Sequence, residues 1–263
     1  MNIVVDGVDI FVATGGCAFD PKKPTVVFVH GSGLDHRTWA LQARWFAFHG
    51  FSVLAPDLPG HSLSDGEPLK SIESMGKWLV KTIKHSGAEN VHLVGHSQGF
   101  LVALEAAALL DGKLKSLTAV ASAASIPVNE ALVETAKKST SDAADMLLKW
   151  GFGAGSHTGS SAIPGMQPIG IGRQIMSTNP LADDLLACNK YKNGTNCAKA
   201  LNVPSNVVIA SEDKNTPYKF GLELADLLGA ETKTIYGAGH MLPIEAPKST
   251  LDAIKTFISK TSL

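Results

Sequence analysis

The chain alternates short, wholly apolar runs with longer stretches in which apolar residues recur every three or four positions. TVVFV (25–29), SVLA (52–55) and VHLV (91–94) are of the first kind, with the length and β-branched content of strands buried on both faces of a parallel sheet. HRTWALQARWFAFHG and SIESMGKWLVKTIKHSG are of the second kind. The former runs to Gly50 as a C-cap; the latter opens at Ser71, followed by Glu73 and Ser74, and closes at Gly87. The alternation resumes with LTAVASAA (117–124), NVVIAS (206–211), a helix over 217–229, TKTIY (232–236) and a last helix over 247–260. Strand and helix in turn predict an α/β fold, a mostly parallel sheet with helices on both faces. Ahead of it, NIVV and VDIFVA flank Asp6-Gly7, the signature of a hairpin.

Residues 129–200 interrupt this pattern. A helix is predicted from Glu130 to Trp150, then a long loop over the Gly- and Pro-rich run GFGAGSHTGSSAIPGMQPIGIG (151–172), then helical pieces around RQIM and LADDLLACNKY. The expected organisation is one core domain made of 1–128 and 201–263, with 129–200 inserted across the end of the sheet.

Composition narrows the possibilities without naming a chemistry. The 263 residues are 44% hydrophobic and 18% charged, enough to bury a sizeable core. Net charge is -1, from 23 basic and 24 acidic residues with no long run of either sign, so neither nucleic acid nor an anionic membrane surface is the expected partner. Cys17, Cys188 and Cys197 lack the clustering of a zinc site and cannot all pair with one another. No charged segment followed by an apolar one opens the chain, and no apolar stretch reaches spanning length, so the expected compartment is the cytoplasm. The sequence carries no signal for oligomeric state.

The chemistry enters at residues 95–99. GHSQG stands where VHLV ends and an alanine-rich helix begins, and ligands of a parallel sheet bind outside the carboxyl ends of its strands. A G-x-S-x-G turn holds its serine in a strained conformation, with glycines where neighbouring side chains would collide. The first N–H groups of the following helix have no intrahelical acceptor. A serine hydroxyl needs a general base, and the base needs an orienting acid. Of nine histidines, His240 lies in a Gly-rich loop after the last strand, while His30, His36, His49, His61, His85, His92 and His96 have local structural explanations. Glu212 and Asp213 follow the preceding strand, and an order of serine, acid, histidine along the chain is a known triad order.

With these residues in place the sequence resembles the α/β-hydrolase superfamily, in the branch of small esterases, C–C bond hydrolases, dehalogenases and cofactor-free haloperoxidases. The resemblance runs from about residue 24 to the end apart from the insertion, which corresponds to the family's cap. It rests on HGSG after the third strand, DLPGHSLSDG after the fourth, GHSQG at the elbow, an acid followed by Thr216-Pro217, and GHMLPIEAP. That spacing favours Asp213 over Glu212. The resemblance implies a Ser97, Asp213, His240 triad, with an oxyanion hole formed by the backbone N–H groups of Ser32 and Gln98. Several family members have glycine where this chain has Phe100. Dehalogenases of the fold carry aspartate at the elbow, which Ser97 excludes here.

The expected activity is hydrolysis of carboxylic esters of small substrates by water through an acyl-enzyme, with no metal or organic cofactor. Trp150 and Met241, with Met166 and Met176, are the candidate substrate contacts. The alternatives are C–C bond hydrolysis or acyl and peroxyacid transfer on the same triad, or a receptor that turns over slowly.

Overall fold

The β-branched runs form the strands of one sheet. In the computed structural model, which describes residues 1–110 and 112–261, these are β1 (Asn2–Val5), β2 (Val8–Ala13), β3 (Thr25–Val29), β4 (Ser52–Pro56), β5 (Val91–His96), β6 (Leu114–Val120), β7 (Ser205–Ala210) and β8 (Glu231–Ile235). They lie in the order β1-β2-β4-β3-β5-β6-β7-β8. The β1–β2 and β2–β4 pairs are antiparallel and the rest parallel. Asp6 and Gly7 both take positive φ, 52° and 81°, the backbone a two-residue hairpin requires.

The helices are α1 (Ala40–Ala47), α2 (Ile72–Ser86), α3 (Gln98–Ala107), then α4 (Glu130–Lys138), α5 (Thr140–Gly151), α6 (Ala154–His157), α7 (Pro168–Met176), α8 (Leu181–Lys190) and α9 (Gly194–Ala200), all six between β6 and β7, and finally α10 (Tyr218–Leu228), α11 (Leu242–Glu245) and α12 (Pro247–Thr261). Successive strand residues face opposite sides. Val27, Val29, Leu93, Val207 and Ile209 pack with α2, α3 and α10, whereas Val26, Phe28, Val94, Val208 and Ala210 pack with α1 and α12. Burial on both faces is why these strands read as continuous apolar runs. Among the described residues, no helix is long and apolar enough to cross a membrane.

Several boundaries differ from the sequence reading. The predicted strand 117–124 runs instead from Leu114 to Val120, ended by Ala121 at φ 46°. The first helix begins with a 3-10 turn, His36–Trp39, capped by Asp35. It closes at Phe48, and Gly50 (φ 90°) serves the turn beyond it. The helix predicted from Glu130 to Trp150 is broken at Ser139, whose extended backbone ends α4 while its hydroxyl accepts Asp142 N–H to start α5.

The run 151–172 is not a continuous loop, since it contains α6 and the start of α7. Pro168 occupies the first turn of α7, where its missing N–H costs nothing. Gly172 lies where a Cβ would come within 2.8 Å of Leu148 on α5, so a residue that reads as a helix breaker permits close helix packing instead. The inserted helices share an apolar core of their own, including Leu132, Leu148, Ile175 and Leu185, which Leu34, Met241 and Ile244 join from the sheet's loops.

The sheet order fixes where a site can form. β3 is flanked by β4 and β5, with Val29 paired to Gly95. The chain leaving β3 and the chain leaving β5 therefore diverge from adjacent carboxyl ends, the switch point at which open α/β sheets bind ligands.

Candidate active site

Ser97 sits between β5 and α3 at φ 54° and ψ -123°. Such a backbone costs a non-glycine residue about 1–3 kcal/mol and needs external support. Ser97 N–H donates to Val120 O at 3.0 Å. Its carbonyl accepts from Phe100 N–H at 3.0 Å and from the Ser122 hydroxyl at 2.9 Å. Glycine is obligatory on either side: a Cβ on Gly95 would strike the Phe100 backbone, and one on Gly99 the carbonyls of Val29 and His30. Phe100 itself is fully buried in the layer beneath α3.

Asp213 and His240 lie side by side at the carboxyl ends of the strands. Asp213 Oδ1 accepts the N–H groups of Asn215 and Thr216, both at 2.8 Å, and Oδ2 accepts the Thr216 hydroxyl at 2.8 Å. Oδ2 also lies 2.8 Å from His240 Nδ1. Burial works to raise the Asp213 carboxyl, but the His240 charge and hydrogen bond, with the two donations from Thr216, hold it below the ordinary carboxylate range. Beside an ionised Asp213, a neutral His240 ring carries its one proton on Nδ1, which leaves Nε2 with a free lone pair.

His96 packs against His240, ring centroids 4.9 Å apart, and its Nε2–H donates to His240 O at 2.8 Å. Burial pushes His96 down to about 3, so it adds no positive charge beside His240. Glu212, the rejected alternative acid, is engaged elsewhere: its Oε2 accepts Ala154 N–H at 2.7 Å, at the start of α6.

The loop after β3 supplies the other side of the site. The Gly31 carbonyl accepts from His30 Nδ1 at 3.0 Å and from Leu34 N–H at 3.1 Å. A trans peptide directs its N–H opposite its carbonyl, so these two contacts turn the Ser32 N–H away from them. The loop passes close to the elbow, since a Cβ on Gly31 would lie 3.2 Å from Ser97 Cβ. Gln98 N–H stands in the first turn of α3 without an intrahelical acceptor. The Gln98 side chain reaches the inserted helices: its Nε2 donates to Asp184 O on α8 at 3.0 Å.

Ser32, Ser97 and His240 border one cavity of about 200 Å³. Its walls include Trp150, Met176, Met241 and Leu185; Met166 packs among the inserted helices instead and does not reach it. Cys188 is also on the wall, 3.7 Å from the Ser32 hydroxyl. Burial pushes its thiol up to about 12, so it offers no competing thiolate nucleophile.

Glu245, unremarked in the sequence, ties the inserted segment to the loop that carries His240. Its Oε1 accepts Gly153 N–H at 2.8 Å and the Ser156 hydroxyl at 2.7 Å, and its Oε2 accepts Gly239 N–H at 2.8 Å. The available signal was an acid set among apolar residues directly after His240. Asp35, His36 and Asp57 bring potential ligand atoms within 4.8 Å of one another. Asp35 is paired with Arg37, and Asp57 accepts the His36 backbone N–H and lies 2.8 Å from His36 Nδ1, so these groups are engaged with protein partners rather than forming an open coordination set.

A model of the alpha/beta hydrolase family matches residues 26–253. Over 262 residues, 92% of each chain, the sequence is 26% identical to "Putative esterase/lipase 2" of Mycoplasma pneumoniae. It is 34% identical over 113 residues to a pimeloyl-[acyl-carrier protein] methyl ester esterase of Methylococcus capsulatus, a match spanning 41% of this chain and only 39% of that relative. Among solved structures, a thermophilic esterase superposes with a TM-score of 0.82 at 25% identity, covering 99% of this chain and 97% of that one. The enol-lactonase of Burkholderia xenovorans gives a TM-score of 0.87 at 20% identity over 98% and 100% of the two chains, a likeness of fold.

Proposed function

The chain belongs to the alpha/beta hydrolase family, and from that membership we propose that it is a serine hydrolase cleaving carboxylic esters of small substrates through an acyl-enzyme. Ser97 attacks the ester carbonyl, and His240 Nε2 takes its proton and returns it to the departing alcohol. Asp213 keeps His240 in the Nδ1–H tautomer and stabilises the imidazolium. The N–H groups of Ser32 and Gln98 bind the tetrahedral oxyanion. Water, activated by the same histidine, then releases the acid. The observation that carries this reading is the fully satisfied Asp213 carboxylate against His240 Nδ1, on the same cavity as a strained serine.

Residues 129–200 act as the cap, and the acyl group lies against Leu185, Met176 and Met241, with Trp150 nearer the mouth. At about 200 Å³ the cavity falls below the size usual for drug-sized ligands, which favours a short acyl chain. A panel of p-nitrophenyl esters of increasing acyl length tests the reading. Sustained turnover, highest for short chains, is expected. A single burst followed by tight retention of the acyl group would instead mark a slow-turnover receptor.

A further inference from the structure

Asp184 on α8 is fully buried, and it touches both sides of the proposed oxyanion hole. Its Oδ2 accepts Gly33 N–H at 2.7 Å, next to Ser32, while its backbone carbonyl accepts the Gln98 side chain at 3.0 Å. Asn179, just before α8, reinforces the first contact. Its Nδ2 donates to the carbonyls of Gly33 and Leu34, each at 3.1 Å, and its Oδ1 accepts Ser62 N–H at 2.9 Å.

His61 completes the arrangement. Its Nε2 lies 3.0 Å from Asp184 Oδ2 and its Nδ1 lies 3.1 Å from Pro59 O. Both partners are acceptors, and a neutral imidazole has one N–H, so satisfying both contacts requires the imidazolium. Burial pulls His61 toward the neutral form, but the charge and hydrogen bond of Asp184, helped by the Pro59 carbonyl and Asp57, outweigh it and hold its pKa above the ordinary range. His30, with ring centroid 5.1 Å from that of His61, is the opposite case. Its Nε2 accepts Leu58 N–H at 3.2 Å, which assigns its single proton to Nδ1, facing Gly31 O.

We propose that Asp184, paired with the His61 imidazolium, is a positioning residue for the oxyanion hole. The helices inserted over the site thereby fix where the Ser32 and Gln98 N–H groups stand, and so help set turnover as well as substrate choice. This rests on the serine-hydrolase reading above. Asp184 Oδ1 has no hydrogen-bond partner although it is buried. A buried ion pair with an unsatisfied oxygen is a poor source of stability compared with apolar packing, whereas it does dictate geometry.

The test compares the parent with Asp184→Asn and Asp184→Ala on p-nitrophenyl butyrate, with melting curves and nitrogen-15 spectra of the His61 ring. A misplacement of about 1 Å can cost roughly 100-fold in rate, so Asp184→Ala is expected to lower kcat on the order of 10- to 100-fold while KM stays within about threefold. Asp184→Asn retains an acceptor for Gly33 N–H and offers an N–H₂ where Oδ1 has no donor. It should recover most of the lost kcat, about three- to tenfold below the parent, at unchanged KM. Near neutral pH both His61 ring nitrogens should be protonated in the parent and only one in Asp184→Asn. If Asp184→Ala does not melt cooperatively, Asp184→Asn decides alone on its kcat and its spectrum. An active parent whose kcat is matched within twofold by the variants, a loss carried by KM alone, or a neutral His61 in the parent overturns the positioning role only. A parent that hydrolyses no ester overturns the hydrolase reading, and this inference with it.

Discussion

The rim of the sheet and the helices inserted above it are held together by different forces. At the rim, Ser97 and Asp213 follow β5 and β7, strands buried on both faces between two helical layers, so their backbones are fixed by extensive burial. His240 instead comes after the exposed edge strand β8 and is itself buried against Asp213 and His96. The inserted helices have their own smaller apolar core, and they meet the rim at two places through carboxylates, of which Glu245 and Asp184 are buried. Glu212 and Glu245 reach out to the start of α6, and Asp184 reaches in to Gly33. Such hydrogen bonds are directional and few, so a single substitution can shift the helices without unfolding the sheet. Changes at the rim should therefore abolish chemistry, and changes in the inserted segment should tune it.

The largest effect expected at the rim is that of Ser97→Ala, a loss of ester turnover on the order of a millionfold with an unchanged melting temperature. Turnover within tenfold of the parent would remove Ser97 from the mechanism. Asp213→Asn should follow at roughly ten-thousandfold, because an amide favours the wrong His240 tautomer. Glu212→Gln, which keeps an acceptor for Ala154 N–H, should stay within about threefold. Kinetics of the two variants side by side check this, and a reversed order would make Glu212 the orienting acid.

At the junction between the regions, Glu245→Gln places an amide N–H₂ against a backbone N–H that now finds a carboxylate. A stability loss of about 1–3 kcal/mol by denaturant melting, with turnover down by about tenfold through Gly239 and its neighbour His240, is expected. Within the inserted segment, Gly172→Ala crowds Leu148, a residue of the cavity wall. KM for longer acyl esters should rise about three- to tenfold while acetate is little affected. Equal shifts for all chain lengths would detach α7 from substrate choice.

The smallest effect is in pH-dependent stability. His61 is raised above 6.5, so its contribution is fully present below 6.5 and is lost as pH rises through the folded value. Asp184 is lowered from 3.8, so its contribution is present above 3.8 and is lost only as pH falls through a value below that. The melting-temperature gap between the parent and Asp184→Asn should accordingly be widest between these limits and narrow as pH rises through the folded value of His61. A constant gap would mean that the pair does not titrate as described.

The two regions also differ in how far the sequence disclosed them. β3 and α2 were legible almost to the residue, because a strand buried on both faces and a helix bounded by Ser71 and Gly87 carry their signals locally. The elbow was legible because Gly95 and Gly99 leave room that no other residue leaves. The preference for Asp213 over Glu212 came from spacing to Thr216, whose hydroxyl and N–H both bind that carboxylate. The break at Ser139 and the helix within the glycine-rich run were hidden, since tertiary packing overrode local propensity there. Asp184, Asn179 and Glu245 were hidden for a further reason: the residues they hold are far away in the chain, 151 positions for Gly33 and Asp184. The Gln98 side chain likewise finds its partner 86 positions away.

Serine acylation is most directly tested by treating the protein with a fluorophosphonate, following p-nitrophenyl ester turnover, and mapping the label by peptide mass spectrometry. One phosphonyl group per chain on Ser97, accumulating in step with loss of turnover and absent from Ser97→Ala, is the expected result. Turnover that persists with Ser97 fully labelled, or a label carried by Cys188 or another residue as activity falls, would contradict it.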